Sequence, residues 1–175
     1  MPPGADMPLD ADQFAVALRQ YAAGVCLLTV QDDIDDVGTT VSSVMSVSAD
    51  PPLVAVGLAA GGYPVEVLAE VGRCGLTVLA TQHAIVASRF SSAGRPSARH
   101  LLESVPWTRG TSGGILLTDA PAALDCRLER LVPAGDHVLA LLEVTGVPVL
   151  DVSVRPLLRL RGRYVDETGD AAGRT

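Results

Sequence analysis

The sequence predicts a mainly β (α+β) fold: a closed or nearly closed antiparallel barrel with short helices on its outside. Three observations support this prediction. Short β-branched and apolar runs recur along the chain, helical periodicity is limited to a few short stretches, and strands and helices do not alternate regularly. The 175 residues, 48% of them apolar, are enough to bury the core of one domain. We see no internal repeat.

The first predicted element is a helix. Residues 1–9 are rich in Pro and Gly and are predicted to be a mobile N-terminus. Asp10 or Asp12 can cap a helix that runs to about Ala23, and Gly24 suits the position after its last residue. Apolar residues three and four positions apart give this helix one apolar face, formed by Phe14, Ala17, Leu18 and Tyr21.

Strands dominate the rest of the chain. Two further helices are predicted at residues 64–71, with Val65, Leu68 and Ala69 inward, and at residues 82–90. We interpret the acidic residues 31–37 as a solvated hairpin loop and residues 91–113 as a long surface loop around Trp107. The predicted strands cover residues 25–30, 38–48, 53–58, 76–80, 122–132, 137–149 and 156–165. Residues 166–175 are predicted to be a disordered tail, which leaves residues 10–165 as the domain.

The stretch 38–53 is unusual because it is β-rich and also loaded with hydroxyl groups. Val41, Val44 and Val47 favour an extended backbone. A strand that offers hydroxyls and backbone amides suits a flat polar ligand, but an exposed edge strand explains the same residues equally well. The hydroxyl residues are Thr39, Thr40, Ser42, Ser43, Ser46 and Ser48.

Composition argues against several kinds of function. The net charge of −7 and the pI of about 4.8 argue against a nucleic-acid partner. The chain contains no lysine, which excludes a Walker-type phosphate lysine and a Schiff-base mechanism. No apolar run is long enough to cross a membrane and no signal-peptide pattern is present, so we expect a cytoplasmic protein with no membrane partner. Neither the cysteines nor the histidines have metal-ligand spacing, so we expect no metal site.

Two motifs carry possible chemistry. Residues 110–114, Gly-Thr-Ser-Gly-Gly, match the Gly-x-Ser-x-Gly nucleophile elbow, but the elbow needs a strand before it and a helix after it. Here the strand-like residues 115–117 follow, so the sequence argues against a serine hydrolase. No Gly-x-Gly-x-x-Gly follows a strand, which argues against a Rossmann domain. His137 lies in a turn that opens a strand, where a histidine is usually a surface residue unless a ligand lies beside it.

A series of short motifs then gives a more specific indication. They occur in a fixed order over residues 14–164, and in this order the sequence resembles the flavin reductase-like family, which has the FMN-binding split-barrel fold. Its members are typically small NAD(P)H:flavin reductases that supply reduced flavin to two-component monooxygenases. The motifs are the helix with Phe14, Gly24-Val25, residues 38–48, Asp50-Pro51-Pro52-Leu53, Thr77-Val78-Leu79, Arg89-Phe90, Trp107, Leu124-Asp125-Cys126, Gly135-Asp136-His137, Glu143-Val144 and Arg161-Gly162-Arg163-Tyr164.

The resemblance implies a fold, a cofactor and partners. It implies a homodimer of six-stranded Greek-key barrels that binds FMN or FAD near the subunit interface and uses NADH or NADPH as co-substrate. It also implies a flavin-dependent monooxygenase as a possible partner. Hydride transfer between these cofactors needs no protein nucleophile, which fits the absence of a catalytic triad or a paired-carboxylate motif in the sequence.

The resemblance also implies a site. The flavin ring is expected on Thr40, Val41, Ser42 and Ser43, with Ser46 and Ser48 nearby. His137, the candidate catalytic residue, and the end of the last strand are expected to face the nicotinamide. The remaining cofactor contacts that it implies are Gly61, Gly62, Tyr63, Leu79, Arg89, Arg163 and Tyr164.

Departures from the family pattern leave two alternatives open. Residues 59–64 lack the hydroxyl and basic side chains that commonly contact the flavin phosphate, apart from the Tyr63 phenol, and Glu66 opposes an anion there. Ser42 replaces a usual Asn, and Arg159-Leu160 replace aromatic or His residues. One alternative is a split-barrel protein that has lost flavin reduction and binds or cyclises another small molecule. The other is a relative that binds haem or a deazaflavin.

Overall fold

The structure, a computed structural model, describes residues 9–33, 35–92, 94 and 96–172. These residues form many β-strands and a few short helices, which confirms the predicted mainly β class. The α-helices are α1 (Ala11–Leu18), α2 (Tyr63–Val71), α3 (Ala84–Phe90) and α4 (Ala98–Leu101), and a 3₁₀ turn covers Thr81–His83. None of the helices in the described ranges is long and apolar enough to cross a membrane. The strands are β1 (Ala23–Gly24), β2 (Cys26–Gln31), β3 (Asp36–Val41), β4 (Val44–Ala49), β5 (Pro52–Ala59), β6 (Arg73–Val78), β7 (Trp107–Arg109), β8 (Ile115–Leu117), β9 (Ala122–Ala134), β10 (His137–Leu150), β11 (Leu158–Leu160) and β12 (Arg163–Val165).

Seven of these strands form one antiparallel sheet in the order β3-β2-β6-β9-β10-β5-β4. Its two edges, β3 and β4, follow each other in the chain but are not hydrogen-bonded neighbours within the described sheet. Within the described residues the sheet is therefore open, so the closed form of the closed or nearly closed barrel that the sequence predicted is not seen. The hydrogen-bonded ladder of β3 with β2 ends at Val41, and the ladder of β4 with β5 begins at Val44. The chain therefore passes from one edge of the sheet to the other, and β3 and β4 do not pair with each other. Two small sheets, β1-β11-β12 and β7-β8, complete the fold.

Strand β2 lies between two hydrophobic cores. Val25 and Leu27 belong to one core, whereas Cys26 and Leu28 belong to the other, as the alternation of a strand requires. A run that is apolar at every position is typical of a strand buried on both faces, and this confirms the prediction for residues 25–30. The second core collects side chains from six strands of the large sheet and from α2.

Strand β3 holds the helical side of the protein through alternate residues on one face. The Asp36 carboxylate, fully buried, accepts hydrogen bonds from Arg99 (2.5 Å) and Arg109 (2.8 and 2.9 Å). At Gly38 a Cβ would lie 2.5 Å from the Phe90 ring, so only glycine lets α3 approach this closely. The Thr40 hydroxyl donates to the carbonyl oxygen of Ala87 at 2.8 Å. Positions 36, 38 and 40 therefore fix α3, α4 and β7 over the sheet.

This arrangement corrects two predictions. Residues 31–37 are not simply a solvated loop, because β3 begins at Asp36 and this carboxylate is buried. Residues 91–113 are not simply a surface loop, because they contain α4 and β7, and Leu102 is fully buried. Short-range periodicity could not show either result, since ion pairs join residues more than sixty positions apart.

Several other elements have bounds that differ from those predicted from the sequence. The first helix ends at Leu18, and Asp10 caps it by accepting from the Asp12 N–H. In α2 the buried side chains are Val67 and Leu68, so the predicted inward position of Ala69 is wrong. The predicted strands 38–48 and 156–165 each split in two. Of the predicted disordered tail, residues 166–172 form a turn and bridge back to Val165. Residues 173–175, and residues 1–8 of the predicted mobile N-terminus, lie outside the described residues.

The Gly-Thr-Ser-Gly-Gly motif is a structural turn. Thr111 and Ser112 each donate both a backbone N–H and a hydroxyl to the buried Asp125 carboxylate, at 2.5–3.0 Å. Burial would raise the pKa of Asp125, but the hydrogen bonds from Ser112 and Thr111 lower it below its ordinary value. Gly110 is required because a Cβ would lie 2.1 Å from this carboxylate. Ser112 is thus a buried donor, and no strand-to-helix elbow is present.

Removal of the Asp36 charge tests the role of β3. We expect Asp36→Asn to lower the free energy of unfolding by about 2–3 kcal/mol, less than for a fully buried pair because both arginines are partly exposed. This corresponds to a decrease in Tm of roughly 5–10 °C. Differential scanning calorimetry of this variant, with Asp33→Asn on the exposed turn as control, measures the effect. A Tm equal to that of the control would show that the ion pairs do not stabilise the fold.

Candidate functional site

Ser42 and Ser43 lie between the two edges of the large sheet, and both line a cavity of about 400 Å³. Neither hydroxyl hydrogen-bonds another described residue, whereas the Ser43 carbonyl oxygen accepts from the N–H of Gly57 at 2.8 Å. The backbone at this point is therefore fixed, while the hydroxyls face a space of the size that small ligands occupy. Ser43 also packs on Gly57, where a Cβ would come within 2.9 Å of the serine Cβ.

The cavity is also lined by the end of α1 and the residues that follow it, and by β11 and the turn after it. Leu18 and Tyr21 line the cavity together with Arg159 and Arg161. The Arg161 N–H donates to the carbonyl oxygen of Arg19 at 2.9 Å, and its Nε donates to Gln20 at 3.1 Å, which ties this turn to the chain after α1. None of the residues of α1 is buried, so the apolar face predicted for this helix, which includes Phe14 and Leu18, is exposed.

A second cavity, of about 680 Å³, adjoins the first and shares Arg159 and Gly162 with it. Arg89 from α3 and Arg163 and Tyr164 from β12 line it, so the structure brings together three of the predicted cofactor-binding residues. The Arg159 guanidinium lies over the Tyr164 ring, 5.3 Å from its centroid.

Ser88, Arg159 and Arg161 were not among the site residues predicted from the sequence, although all three line the cavities. One signal was available: three of the thirteen arginines fall at positions 159, 161 and 163, in a chain that is acidic overall.

Several predicted residues lie behind or beside the cavities and do not line them. Thr40 uses its hydroxyl to hold α3, and Val41 and Leu79 are buried in the cores. Ser46 and Ser48 lie on β4, the exposed edge strand. The hydroxyl-rich stretch is therefore an exposed edge strand at β4, while Ser42 and Ser43 line a cavity, and ligand binding by these serines stays a prediction.

Acidic side chains surround the turn 59–64, which the family resemblance associates with the flavin phosphate. The Tyr63 hydroxyl donates to Asp32 at 2.5 Å, and this hydrogen bond, with the nearby charges of Asp32, Glu70 and Glu66, raises the pKa of the phenol. The single phenol of this loop is thus engaged with a carboxylate. Gly61 and Gly62 form the turn before α2, and neither they nor Tyr63 line the two cavities.

His137 begins β10 beside this loop. It is half exposed, its Nδ1 lies 2.8 Å from the Asp136 carboxylate, and it pairs with Ala59. Leu139, two residues on, pairs with Gly57, against which Ser43 packs. Since opposite residues and residues two apart share a face, His137 lies on the same face of the sheet as Ser43, but it does not line either cavity.

A buried histidine positions α3 and thereby Arg89. The Nδ1 of His83 accepts from the N–H of Ala80 at 3.1 Å, so the proton of the neutral ring is on Nε2, which donates to Asp119 at 3.0 Å. Burial lowers the pKa of His83 and outweighs the opposing effect of Asp119. The neutral ring thus holds the turn that leads into α3.

The thiols offer no activated nucleophile. Cys26, Cys74 and Cys126 are free and buried, and burial raises the pKa of Cys26 to about 12. Cys74 lies opposite Cys126 across β6 and β9, and the hydrogen bond between them, together with burial, raises its pKa as well. Cys26 and Cys74 therefore stay protonated near neutral pH. In the described part of the chain, His, Cys, Asp and Glu side chains form no group of three that could hold a metal ion.

The candidate site is thus a cleft lined by two unengaged hydroxyls and by several guanidinium groups. Hydroxyls suit the polar edge of a planar ring, and guanidinium groups suit an anionic group. A cleft of this kind on a mainly β protein suits a small molecule that carries a ring and a negative charge, and none of the three cysteines, all of them described, lines it.

Comparisons with known proteins agree with this description. Residues 18–168 match the family described as "Flavin reductase like domain". The NADH-dependent FMN reductase AsuE2 of Streptomyces nodosus subsp. asukaensis is 36% identical over 152 residues, which are 87% of this chain and 82% of that protein. The chain therefore belongs to the flavin reductase-like family, which confirms the resemblance.

Solved structures show the same fold. BorF, the flavin reductase component of a bacterial two-component tryptophan halogenase, superposes with a TM-score of 0.81 at 29% identity, over 90% of this chain and 98% of that one. The NADH:FAD oxidoreductase SgcE6 of Streptomyces globisporus C-1027 gives a TM-score of 0.82 at 28% identity, over 93% and 98% of the two chains.

The role of His83 predicts a dependence of stability on pH. The pKa of His83 is lower in the folded protein than in the unfolded chain, where it is about 6.5. The contribution of His83 to the free energy of unfolding is therefore complete above about pH 6.5 and is lost as the pH falls below that value. We expect the free energy of unfolding to decrease more between about pH 7 and 5.5 in the wild type than in His83→Gln. Urea titrations across this range measure the difference, with the exposed His100→Gln as control. Equal slopes in the wild type and His83→Gln would exclude this role.

Proposed function

We propose that the protein is an NAD(P)H:flavin oxidoreductase that supplies reduced flavin to a partner monooxygenase. The observation that carries the proposal is the pair of free hydroxyls, Ser42 and Ser43, in a cavity that opens onto an arginine-lined cavity. Membership of the flavin reductase-like family supports the same activity.

The residues present fit a flavin. Ser42 and Ser43 would bind the polar edge of the ring, since their hydroxyls can both donate and accept. Thr40 and Val41 act indirectly, because a hydroxyl bond to α3 and burial in the core fix the backbone that presents the serines. When bound, the flavin supplies the chemistry by accepting a hydride from the reduced nicotinamide.

The protein itself binds and orients the cofactors. Leu18 and Tyr21 add apolar surface to the cavity, which a bound ring would cover. Gly57 allows Ser43 to pack closely on the sheet and so fixes its position. We propose that His137 orients the nicotinamide, because it lies on the same face as Ser43 and its ring is exposed. Orientation of the two cofactors is the main contribution such a site makes to hydride transfer.

The choice of cofactor follows the relatives. AsuE2 is named for NADH and FMN, and SgcE6 for NADH and FAD, so we propose FMN or FAD with NADH or NADPH for this chain. BorF serves a two-component halogenase, and by analogy we propose a flavin-dependent oxygenase as the partner.

We also propose a homodimer, with the Greek-key strand connections that the family resemblance implies. Large apolar side chains are exposed on α1, β4 and β10, and exposed patches of this kind mark interfaces. They are Phe14, Val16, Leu18, Met45, Val47, Leu139, Val147 and Leu150. Sedimentation equilibrium should return twice the mass of the 18.1 kDa chain, and a mass of one chain would reject the dimer.

The cytoplasmic location stays a prediction, which the three free thiols support.

Nicotinamide oxidation tests the function. Absorbance at 340 nm should fall when the purified protein is mixed with NADH or NADPH and with FMN, FAD or riboflavin, each in turn. Double replacement Ser42→Ala/Ser43→Ala should raise the KM for every flavin by roughly tenfold, since two hydrogen bonds to the ring are lost. A control at Ser104→Ala, which is exposed and does not line either cavity, should keep the wild-type values. Flavin binding without any nicotinamide oxidation would support the alternative of a pocket that has lost flavin reduction.

The role of His137 is tested separately. We expect His137→Ala to raise the KM for the nicotinamide by about 2–10-fold and to change the KM for flavin less, because one hydrogen bond to the nicotinamide is removed. Steady-state kinetics with each substrate varied in turn measure both constants. His100→Ala, an exposed histidine on α4, is the matched control. An unchanged nicotinamide KM would remove His137 from the site.

A further inference from the structure

We propose that Arg161 is a positioning residue, which anchors the end of α1 so that this part of the chain forms one wall of the cavity that Ser42 and Ser43 line. The flavin ring covers the apolar side chains of this wall, and the order of the wall depends on the hydrogen bonds that Arg161 makes. The inference rests on the proposed function, because the ligand that the wall covers is the flavin.

Helix α1 has few attachments to the rest of the protein. None of its residues is buried, and Leu18 and Tyr21, at and just after its end, are 52% and 73% exposed. Among the described residues, the hydrogen bonds that join residues 9–21 to the rest of the chain all come from Arg161. The next attachment is β1, where Ala23 pairs with Arg159. The position of the helix therefore depends on Arg161 more than on packing.

Arg161 contacts the end of the helix through both its backbone and its side chain. Its N–H donates to the carbonyl oxygen of Arg19 at 2.9 Å, and its Nε donates to the side-chain oxygen of Gln20 at 3.1 Å. The Gln20 amide nitrogen in turn donates to the carbonyl oxygen of Val16 at 3.4 Å, within the last turn of α1. Gln20 therefore links the Arg161 side chain to the helix itself.

The backbone of Arg161 has a conformation that side chains rarely adopt. Because Leu160 pairs with Arg163, Arg161 and Gly162 form a two-residue hairpin turn, and their φ angles are 51° and 78°. A turn with two left-handed residues favours Asn, Asp or Gly at its first position. Strained residues of this kind persist where surrounding contacts hold them, and they cluster at ligand sites. The contacts with Arg19 and Gln20 hold Arg161 in this way.

The anchored segment supplies surface to the cavity of the serines. Leu18 and Tyr21 line this cavity together with Ser42 and Ser43, so a ring bound to the serines would remove apolar surface of the segment from water. If the segment were not anchored, the conformational entropy lost in ordering it would oppose binding of the ring. Gln20 does not line the cavity, so an effect of Gln20 on the ring acts through the position of the helix.

Riboflavin tests the proposal, because it has the flavin ring but no phosphate that could pair with a guanidinium group. We expect Arg161→Gly and Gln20→Leu each to raise the Kd for riboflavin by roughly three- to tenfold, since the helix end must then be ordered on binding. Quenching of riboflavin fluorescence measures the Kd. The double variant should bind no more weakly than Arg161→Gly, because both changes break the same link. The matched control is Gln13→Leu, an exposed glutamine of α1, which should keep the wild-type Kd.

The same variants separate positioning from a role in folding. Since glycine adopts the left-handed conformation readily and keeps the N–H donor, Arg161→Gly should have a Tm within roughly 2 °C of the wild type. A lower Tm with an unchanged riboflavin Kd would show a structural role alone and would overturn the proposal.

Amide hydrogen exchange of residues 11–21 follows the wall directly. We expect riboflavin to slow this exchange in the wild type, and the free Arg161→Gly variant to exchange faster than the free wild type. Equal exchange in the wild type with and without riboflavin would overturn the proposal, because the ring would then not order the segment.

Nicotinamide oxidation separates this inference from the proposed function. If the wild type oxidises NADH or NADPH with riboflavin but the Kd is unchanged in Arg161→Gly and Gln20→Leu, the function stands and the positioning role fails. If riboflavin binding depends on Arg161 but no nicotinamide is oxidised, the proposed function fails and the positioning role stands. A wild type that binds no riboflavin would overturn both.

Discussion

Strand β3 is the constraint on which the rest of the structure depends. One of its faces carries, in alternation, a buried carboxylate that binds two arginines, a glycine under a phenylalanine ring and a hydroxyl bonded to a helix carbonyl. These three contacts attach α3, α4 and β7 to the sheet, and α3 in turn carries Arg89 into the second cavity. Burial of the Asp36 carboxylate would raise its pKa, but the hydrogen bonds from Arg109 and Arg99 lower it, so it stays ionised and paired.

The open edge of the sheet places the site. Because β3 and β4 do not pair with each other in the described sheet, Ser42 and Ser43 lie outside both ladders and can face a ligand. The turn after β11 also lines the cavity and brings arginines from the end of the chain to serines near its beginning. A reductase needs little more than this, because the cofactors supply the reaction and the protein supplies alignment.

Much of this could be read from the sequence. The buried run of β2, the β-rich hydroxyl stretch and the family follow from local patterns, and the failure of the serine-hydrolase motif follows from its context. The burial of Asp36 could not be read, because an aspartate within an acidic turn looks solvated until its distant arginine partners are known. The exposed α1 is the opposite case, since an amphipathic pattern predicts burial but does not name the surface that covers it.

The sequence by itself determined the class of fold and the family, since these depend on periodicity, composition and the order of short motifs. It also predicted Ser42 and Ser43 as contacts of a flavin ring. Only the tertiary structure decided which residues surround those serines. It separated Tyr63 and His137 from the two cavities, and it brought Arg89, Arg159 and Arg163 together. The physical reason is that hydrogen bonds and charges act through space and not along the sequence. The Tyr63 hydroxyl donates to Asp32, thirty-one residues away, and the arginines that line the second cavity come from α3, β11 and β12.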